Sequence, residues 1–356
     1  MSKVLSYRVY TVLVIILALG TLIFHVAQLH SFFISAYGIQ KDSIFSFKLA
    51  PKKEKISVTT ILFLGDVMLG RNVEFLSQIN GVDYSTSRIV GELPKVDAVV
   101  ANFESAMAIP HVRTRAYTTQ FSTAVWMLPV LTELKITHTS LANNHTLDFG
   151  GQGYQNAVRE LEMVDIVPFG HSTTISTSSV TVVDGPKRVG IIAINTIFLT
   201  PNEENLRIQI EALKKETDIQ VAYIHWGDEY VAVHNPSQAR FARKLIEMGI
   251  DVIVGHHPHV VQDIDLIDGA LVFYSLGNFI FDQYFSTEVQ EGYVLHVTAE
   301  AGGALSFSII PVTSVDSRSQ PRLMTDRETE GFLDGLAKRS NVAIKEAIRQ
   351  NTLRLP

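Results

Sequence analysis

Cysteine is absent from all 356 residues. A disulfide framework and a thiolate metal site are therefore both excluded. The lack of cysteine is compatible with a place outside the cytoplasm but does not by itself put the chain there. An excess of positive charge is also missing: 30 Lys and Arg face 36 Asp and Glu, for a formal net charge of −6. That balance leaves no electrostatic footprint for a nucleic-acid partner. Internal repeats and low-complexity tracts are absent as well. What remains is globular material: a hydrophobic fraction of 46% suffices for one large domain or two small ones.

Val9 to Leu29 carries no Asp, Glu, Lys or Arg. About 20 residues at ~1.5 Å rise cross a ~30 Å hydrocarbon layer, so a single transmembrane helix is expected here. Lys3 and Arg8 precede the run, and no Lys or Arg follows until Lys41. This bias favours residues 1–8 in the cytoplasm and the rest of the chain outside it, at the cell membrane. A cleaved signal peptide is the rival reading, but the apolar stretch is long for one and no A-X-A-type site follows. Residues 30–56, with Pro51 and Lys52-Lys53-Glu54-Lys55, read as a linker whose lysines are either solvated or near lipid headgroups.

From residue 57 short apolar runs end abruptly in polar residues. Ile61 to Leu64 ends in Gly65-Asp66, and Ala98 to Ala101 in Asn102-Phe103-Glu104. Thr139 to Ala142 ends in Asn143-Asn144-His145, and Val221 to Ile224 in His225-Trp226-Gly227-Asp228. Ile250 to Val254 ends in Gly255-His256-His257-Pro258-His259. Such runs, with helical stretches between them, are the pattern of buried strands in an α/β sheet. In such sheets ligands collect outside the carboxyl ends of the strands, so the five tips are expected to converge on one crevice. His138, inside the third expected strand at Ile136–Leu141, reads as a packed histidine. Arg71 reads equally as an anion ligand or a partner for a carboxylate.

Helices are expected after Arg71, at Pro129–Leu134, from Tyr154 through Leu161, at Asn202–Lys214 and at Pro236–Met248, which Gly249 closes. Val180–Val183 and Val189–Ile194 read as a strand pair around Asp184-Gly185. Ile264–Ile267 with Ala270–Tyr274, and Gly292–Thr298 with Ala304–Pro311, read as hairpins. Hairpins after a βα series predict a second sheet packed on the first. Residues 316–356 are expected to be a helical tail behind a domain spanning 57–315.

The donors are carboxylates, amide oxygens and imidazoles, without sulfur. That set favours Mn, Fe or Zn and is rich in nitrogen for Mg or Ca. It holds enough donors for one divalent ion or two.

The blocks Phe63 to Arg71, Ala101 to Ser105, Ala142 to Asp148, His225-Trp226-Gly227, Gly255 to Val260 and Tyr274 to Phe279 resemble, in order, those of the CapA/PgsA proteins of poly-γ-glutamate capsule synthesis. That family is similar to calcineurin-like metallophosphoesterases. The resemblance implies a two-sheet sandwich flanked by helices, a membrane-anchored role in making or exporting the polymer, and work beside capsule synthase subunits. It also implies Asp66, Asn144, His225, His257 and His259 as metal ligands and His145 as the catalytic histidine. Asn102, Asn143, His256, Arg71 and Asn278 fall around them as substrate-contacting or supporting residues. Two positions depart from the phosphoesterase pattern. Met68 stands where a histidine is usual, and Asn102 where a bridging aspartate is usual, which leaves Glu104 as the nearby carboxylate able to bridge. Two readings follow: a metal-dependent hydrolase-like site, or a non-catalytic accessory subunit that holds the polymer or the synthase in the same crevice.

Overall fold

The computed structural model describes residues 58–198 and 200–355. The expected span at Val9–Leu29 and the linker 30–56 lie outside them. Among the described residues no helix is long and apolar enough to cross a membrane.

The chain builds two mixed sheets and visits the first one twice. It begins with β1 (Val58–Val67), β2 (Ala98–Phe103), β3 (His138–Ser140) and β4 (Val167–Phe169), paired in parallel. It then makes β5 (Val180–Val183), β6 (Val189–Asn195), β7 (Ile219–His225), β8 (Val252–His256), β9 (Ile264–Ile267) and β10 (Ala270–Phe273). These form a six-stranded sheet in the order β5-β6-β7-β8-β10-β9. It returns with β11 (Asn278–Ile280), β12 (Glu291–Glu300), β13 (Leu305–Thr313), β14 (Arg322–Leu323) and β15 (Leu353–Leu355). The nine-stranded sheet runs β14-β13-β12-β1-β2-β3-β4, with β11 beside β1 and β15 beside β13.

The two expected hairpins therefore do not make a separate sheet. β9–β10 extends the second sheet, and β12–β13 extends the first beyond β1. Local turn chemistry sets the hairpins, but long-range pairing decides which sheet receives them.

Alternation along β1 shows why both faces are buried. Ile61 and Phe63 point into the core between the sheets, with Val221, Tyr223, Val254, Phe273, Leu295 and Phe307. Leu62 and Leu64 point outward under α1 (Arg71–Asn80), α2 (Pro129–Glu133) and α3 (Gly150–Glu162). The second sheet is covered in the same way by α4 (Glu203–Glu216) and α5 (Pro236–Glu247), through Leu206, Ile210, Ala242 and Leu245. The layers are thus helix, sheet, sheet, helix. A hydrogen bond from Tyr223 Oη to the Leu64 carbonyl, 3.0 Å, ties the sheets inside the core.

α5 starts where its sequence dictates. Asn235 caps it in a reciprocal capping box with Gln238, Pro236 takes the first turn, and Gly249 (φ +101°) follows its end. α3 begins earlier than the expected Tyr154, with Gly150, Gly151 and Gly153 in its first turn. Residues 316–356 hold α6 (Asp326–Arg339) and α7 (Lys345–Arg349), and also β14 and β15. Leu333, Leu336, Ile344, Ile348 and Leu353 are part of the core between the sheets.

Candidate metal centre

The carboxyl ends of β1, β2, β3, β7 and β8 meet along one edge, as α/β topology directs. Asp66 and Asn102 lie inside β1 and β2, one residue before their ends, rather than just past them, and they stand opposite each other in register. β1 can bend there because Gly65 has no side chain: a Cβ would sit 2.1 Å from the Gly277 carbonyl oxygen. His225 closes β7 and pairs in register with His256 of β8. His257 (φ +96°) and His259 (φ +57°) both adopt left-handed backbone. Strain of that kind in bulky residues persists only where the surroundings hold it, and it gathers at functional sites.

Every expected site residue reaches this edge, and nearly all are buried. Asn102 Nδ2 lies 2.8 Å from Asp66 Oδ1, 3.3 Å from Glu104 Oε2 and 3.2 Å from His225 Nδ1. Asn143 donates to Asn102 Oδ1 at 3.1 Å and to the Phe103 carbonyl at 2.9 Å, and its own Oδ1 accepts from His145 N and Thr146 Oγ1. It therefore shapes the 143–148 turn. His225, accepting from Asn102 at Nδ1, presents Nε2 to Asn144 Oδ1 at 2.7 Å and to His257 Nδ1 at 3.1 Å. Asn278 Oδ1 lies 3.0 Å from His259 Nδ1. Donation there directs His259 Nε2 toward Glu104 Oε1, 3.7 Å away. His256 Nδ1 is 3.3 Å from Asp66 Oδ1 but not aligned as a hydrogen bond, so both its ring nitrogens lack a partner.

Arg71 proves to be a carboxylate partner. Its guanidinium forms a double ion pair with Asp282, donates to the Thr118 carbonyl and lies 4.3 Å over the Phe121 ring. The other face of the site belongs to His145, which stacks on Phe121 at 3.6 Å between ring centroids. His145 Nδ1 lies 2.8 Å from Asp148 Oδ2, and that oxygen also accepts from Phe121 N. The pairing fixes the ring so that Nε2 points to Glu104 Oε1, 3.8 Å away. His138 stays apart from this cluster, half-buried against Thr137.

Two groups of donors lie close enough to share a cation. Asp66, Glu104 and His225 form one, and Glu229, His257 and His259 the other; within each, one donor atom per residue lies within 4.8 Å of the others. Glu104 Oε1 is buried without a hydrogen-bond partner. Buried carboxylates are rarely left so unless something else satisfies them. Nitrogen and oxygen donors without sulfur fit a borderline divalent ion.

The electrostatics agree. Burial pushes the Asp66 carboxyl up, yet His256 and His259 beside it outweigh burial and hold it well below the usual range. Burial pushes Glu104 well above its usual value, and the Asp66 and Glu229 charges add to that against His259. Burial works against a charged His259, but Glu104 and Asp66 overcome it and push it up to about 9. Burial and the His259 charge bring His257 down to about 3, and burial with His257 lowers His225. Opposed shifts in one small volume mark a desolvated charge cluster of the kind found at functional sites.

Sequence reasoning missed Glu229, Asp148, Phe121 and Asp282. Asp148 closes a block that was already singled out, three residues after His145, so its spacing was a usable signal. Glu229 follows His225 by four. Phe121 and Asp282 join the site only through tertiary packing.

The residues 60–283 match the model of the bacterial capsule synthesis protein PGA_cap family. The chain is 31% identical over 329 residues to the PGA biosynthesis protein CapA of Bacillus subtilis (strain 168), covering 85% of this chain and 86% of that one. It is 27% identical over 292 residues to the capsule biosynthesis protein CapA of Bacillus anthracis, covering 76% and 70%. Among solved structures, the purple acid phosphatase PPD1 of yellow lupin (Lupinus luteus) seeds aligns with a TM-score of 0.41 and 10% identity, over 77% of this chain and 55% of that one.

Proposed function

We propose, for a chain that belongs to the PGA_cap family of bacterial capsule synthesis proteins, that the buried histidine–carboxylate edge is a divalent-metal centre of hydrolase type serving the synthesis or export of poly-γ-glutamate. One observation carries the reading. Two donor groups, Asp66/Glu104/His225 and Glu229/His257/His259, touch through His225 and His257 at 3.1 Å, and the first contains a buried carboxylate oxygen, Glu104 Oε1, that has no hydrogen-bond partner.

Mn, Fe and Zn all suit these donors. A bound divalent ion supplies Lewis acidity toward a phosphoryl or carbonyl oxygen. The chain's own groups supply the rest. Asn102 and Asn143 hold Asp66 and Glu104 in place, and Asn278 orients His259. Asp148 holds the proton of His145 at Nδ1 and turns Nε2 toward the centre, where the ring in its imidazolium form can give the Nε2 proton to a leaving oxygen and end as the neutral Nδ1–H tautomer. Phe121, buried against the ring, keeps water from that face.

The uncharged run Val9–Leu29 supports a single-pass anchor with the folded body outside the cytoplasm, next to capsule synthase subunits and the polymer. Protease added to intact, wall-stripped cells should then digest the folded body; a fully protected body would sink the anchor.

A second reading has specific support. Met68, buried with its Sδ accepting from Gly70 N, and the uncharged Asn102 occupy two positions where phosphoesterases carry ligands. A scaffold that holds polymer or synthase in the same crevice fits those two residues. Two measurements separate the readings. Elemental analysis of the full-length protein should show bound divalent metal that His257→Ala with His259→Ala removes; equal metal in both would exclude the centre. Surface polyglutamate, at matched protein level, should collapse in His145→Ala cells that keep their metal. Normal capsule in those cells would make the protein a scaffold.

A further inference from the structure

The second sheet has a cavity on the face turned away from the metal centre. Along β7 the side chains alternate, so His225 faces the ligand cluster and Trp226, the next residue, faces outward into the core under α4 and α5. A pocket of about 610 Å³ opens over Trp226, at the carboxyl ends of β6 and β7. That volume falls in the range of small-molecule sites, ~300–1,000 Å³, and the position is where ligands of α/β sheets collect. None of its lining residues belongs to the two donor groups.

Its walls have two characters. Trp226, Ile197 and Phe241 make an apolar part. One stripe of α5 makes the other: Ser237, Arg240 and Lys244, three or four residues apart and thus on one helix face. Lys244 is paired with Glu203 of α4. Arg240 has no ion-pair partner among the described residues and donates only to Ser237 Oγ, at 2.9 Å. A guanidinium has five donors in a fork that matches carboxylate and phosphate oxygens. The lining residues include these two cations and no carboxylate; outside the lining, Glu203 pairs with Lys244 and Asp228 accepts from Asn235 Nδ2 at 2.7 Å, so Arg240 is the cation left for an anion.

We propose that this pocket binds a small anion with an apolar body, its carboxylate or phosphate group on Arg240 and Ser237 and its apolar part against Trp226 and Phe241. The site is separate from the metal centre and needs no metal.

The molecule carries its own reporter. It has two tryptophans, Trp126 and Trp226, so Trp126→Phe leaves Trp226 as the sole indole. The full-length Trp126→Phe protein is titrated with phenylphosphonate, with phenylacetate and with neutral benzyl alcohol, before and after metal is stripped and the chelator dialysed away. Expected is a saturable change in Trp226 fluorescence with at least one anion, unaltered by metal removal. Arg240→Gln should weaken that binding by about tenfold or more, the loss of one charge-assisted hydrogen bond. Phenylphosphonate alone would mark a phosphate site, phenylacetate alone a carboxylate site. The proposal is overturned if neither anion gives a saturable change, if benzyl alcohol binds as well as they do, or if Arg240→Gln leaves binding unchanged. It is also overturned if the signal disappears with the metal, which would place the anion at the metal centre instead.

Discussion

Gly65 stands immediately before Asp66 and Gly255 immediately before His256, and each is glycine because another backbone passes where a Cβ would be. The intruding atom would sit 2.1 Å from the Gly277 oxygen at Gly65, and 2.0 Å from the Tyr274 oxygen at Gly255. These backbone carbonyls, in the connection between β10 and β11, cannot swing aside as a flexible side chain can. Gly255→Ala is therefore expected to destabilise the fold by about 1–3 kcal/mol or more, read as a lower Tm. Gly151→Ala is the control, since nothing lies within 4 Å of its added Cβ; inside α3 it should hold or raise Tm. An unchanged Tm for Gly255→Ala would show that the strands part more easily than their packing implies. Asn102 invites the opposite experiment. Its amide donates to Asp66 Oδ1 and sits beside Glu104. Asn102→Asp replaces that donor with a third carboxylate in a buried cluster, where like charges repel. Without metal the variant should melt earlier than wild type, and divalent metal should raise its Tm by more than it raises that of wild type. Equal melting of the two in chelator would argue that the cluster is better hydrated than its burial indicates.

The last elements of the chain show how far a sequence pattern can be read. α6 and α7 are legible from the spacing of Phe332, Leu336, Ile344 and Ile348, although it is Leu333 and not Phe332 that is buried. Their destination is not, because nothing local says that Leu353 on β15 will pair beside β13 or that the helices will close the core between the sheets. Removing residues 322–356 should accordingly leave an insoluble or unfolded chain rather than a trimmed domain. The single change Leu336→Ala, at a fully buried site, should cost about 2–5 kcal/mol, measured by denaturant unfolding of the full chain. A soluble truncation with an unchanged midpoint would make the segment an appendage. The same limit governs the site. Asp66, Asn102, Glu104, Asn144, His225, His257 and His259 are visible because each ends an apolar run, and strand ends converge by topology. Short strands such as β4 and β11, three residues each, carry too little periodicity to be seen. Glu229, Phe121 and Asp282 sit on loops, whose course is set by packing and not by any period. The assignment of hairpins to sheets failed for a related reason: turn residues specify a hairpin, and only the buried faces of distant strands specify its neighbour.

At the scale of the molecule, the donors come from both sheets. Asp66 and Glu104 belong to the first, at the ends of β1 and β2; His225, His257 and His259 belong to the second, at the ends of β7 and β8. A cation held among them joins two layers that are otherwise joined mainly by apolar contact, and it neutralises carboxylates that burial disfavours. An ion that binds only the folded state stabilises it by mass action, ~2.7 kcal/mol at a hundred times Kd. Because both layers hold the ligand, that stabilisation should appear in both. Addition of Zn or Mn to stripped full-length protein should raise Tm and should slow amide hydrogen exchange at the ends of β1 and β2 and at the ends of β7 and β8 together. His257→Ala with His259→Ala should abolish the slowing in the first sheet as well as in the second, although both substitutions lie in the second. Slowed exchange confined to β7 and β8 would mean that the histidines bind metal without Asp66 and Glu104. The orphaned Glu104 oxygen would then need another partner.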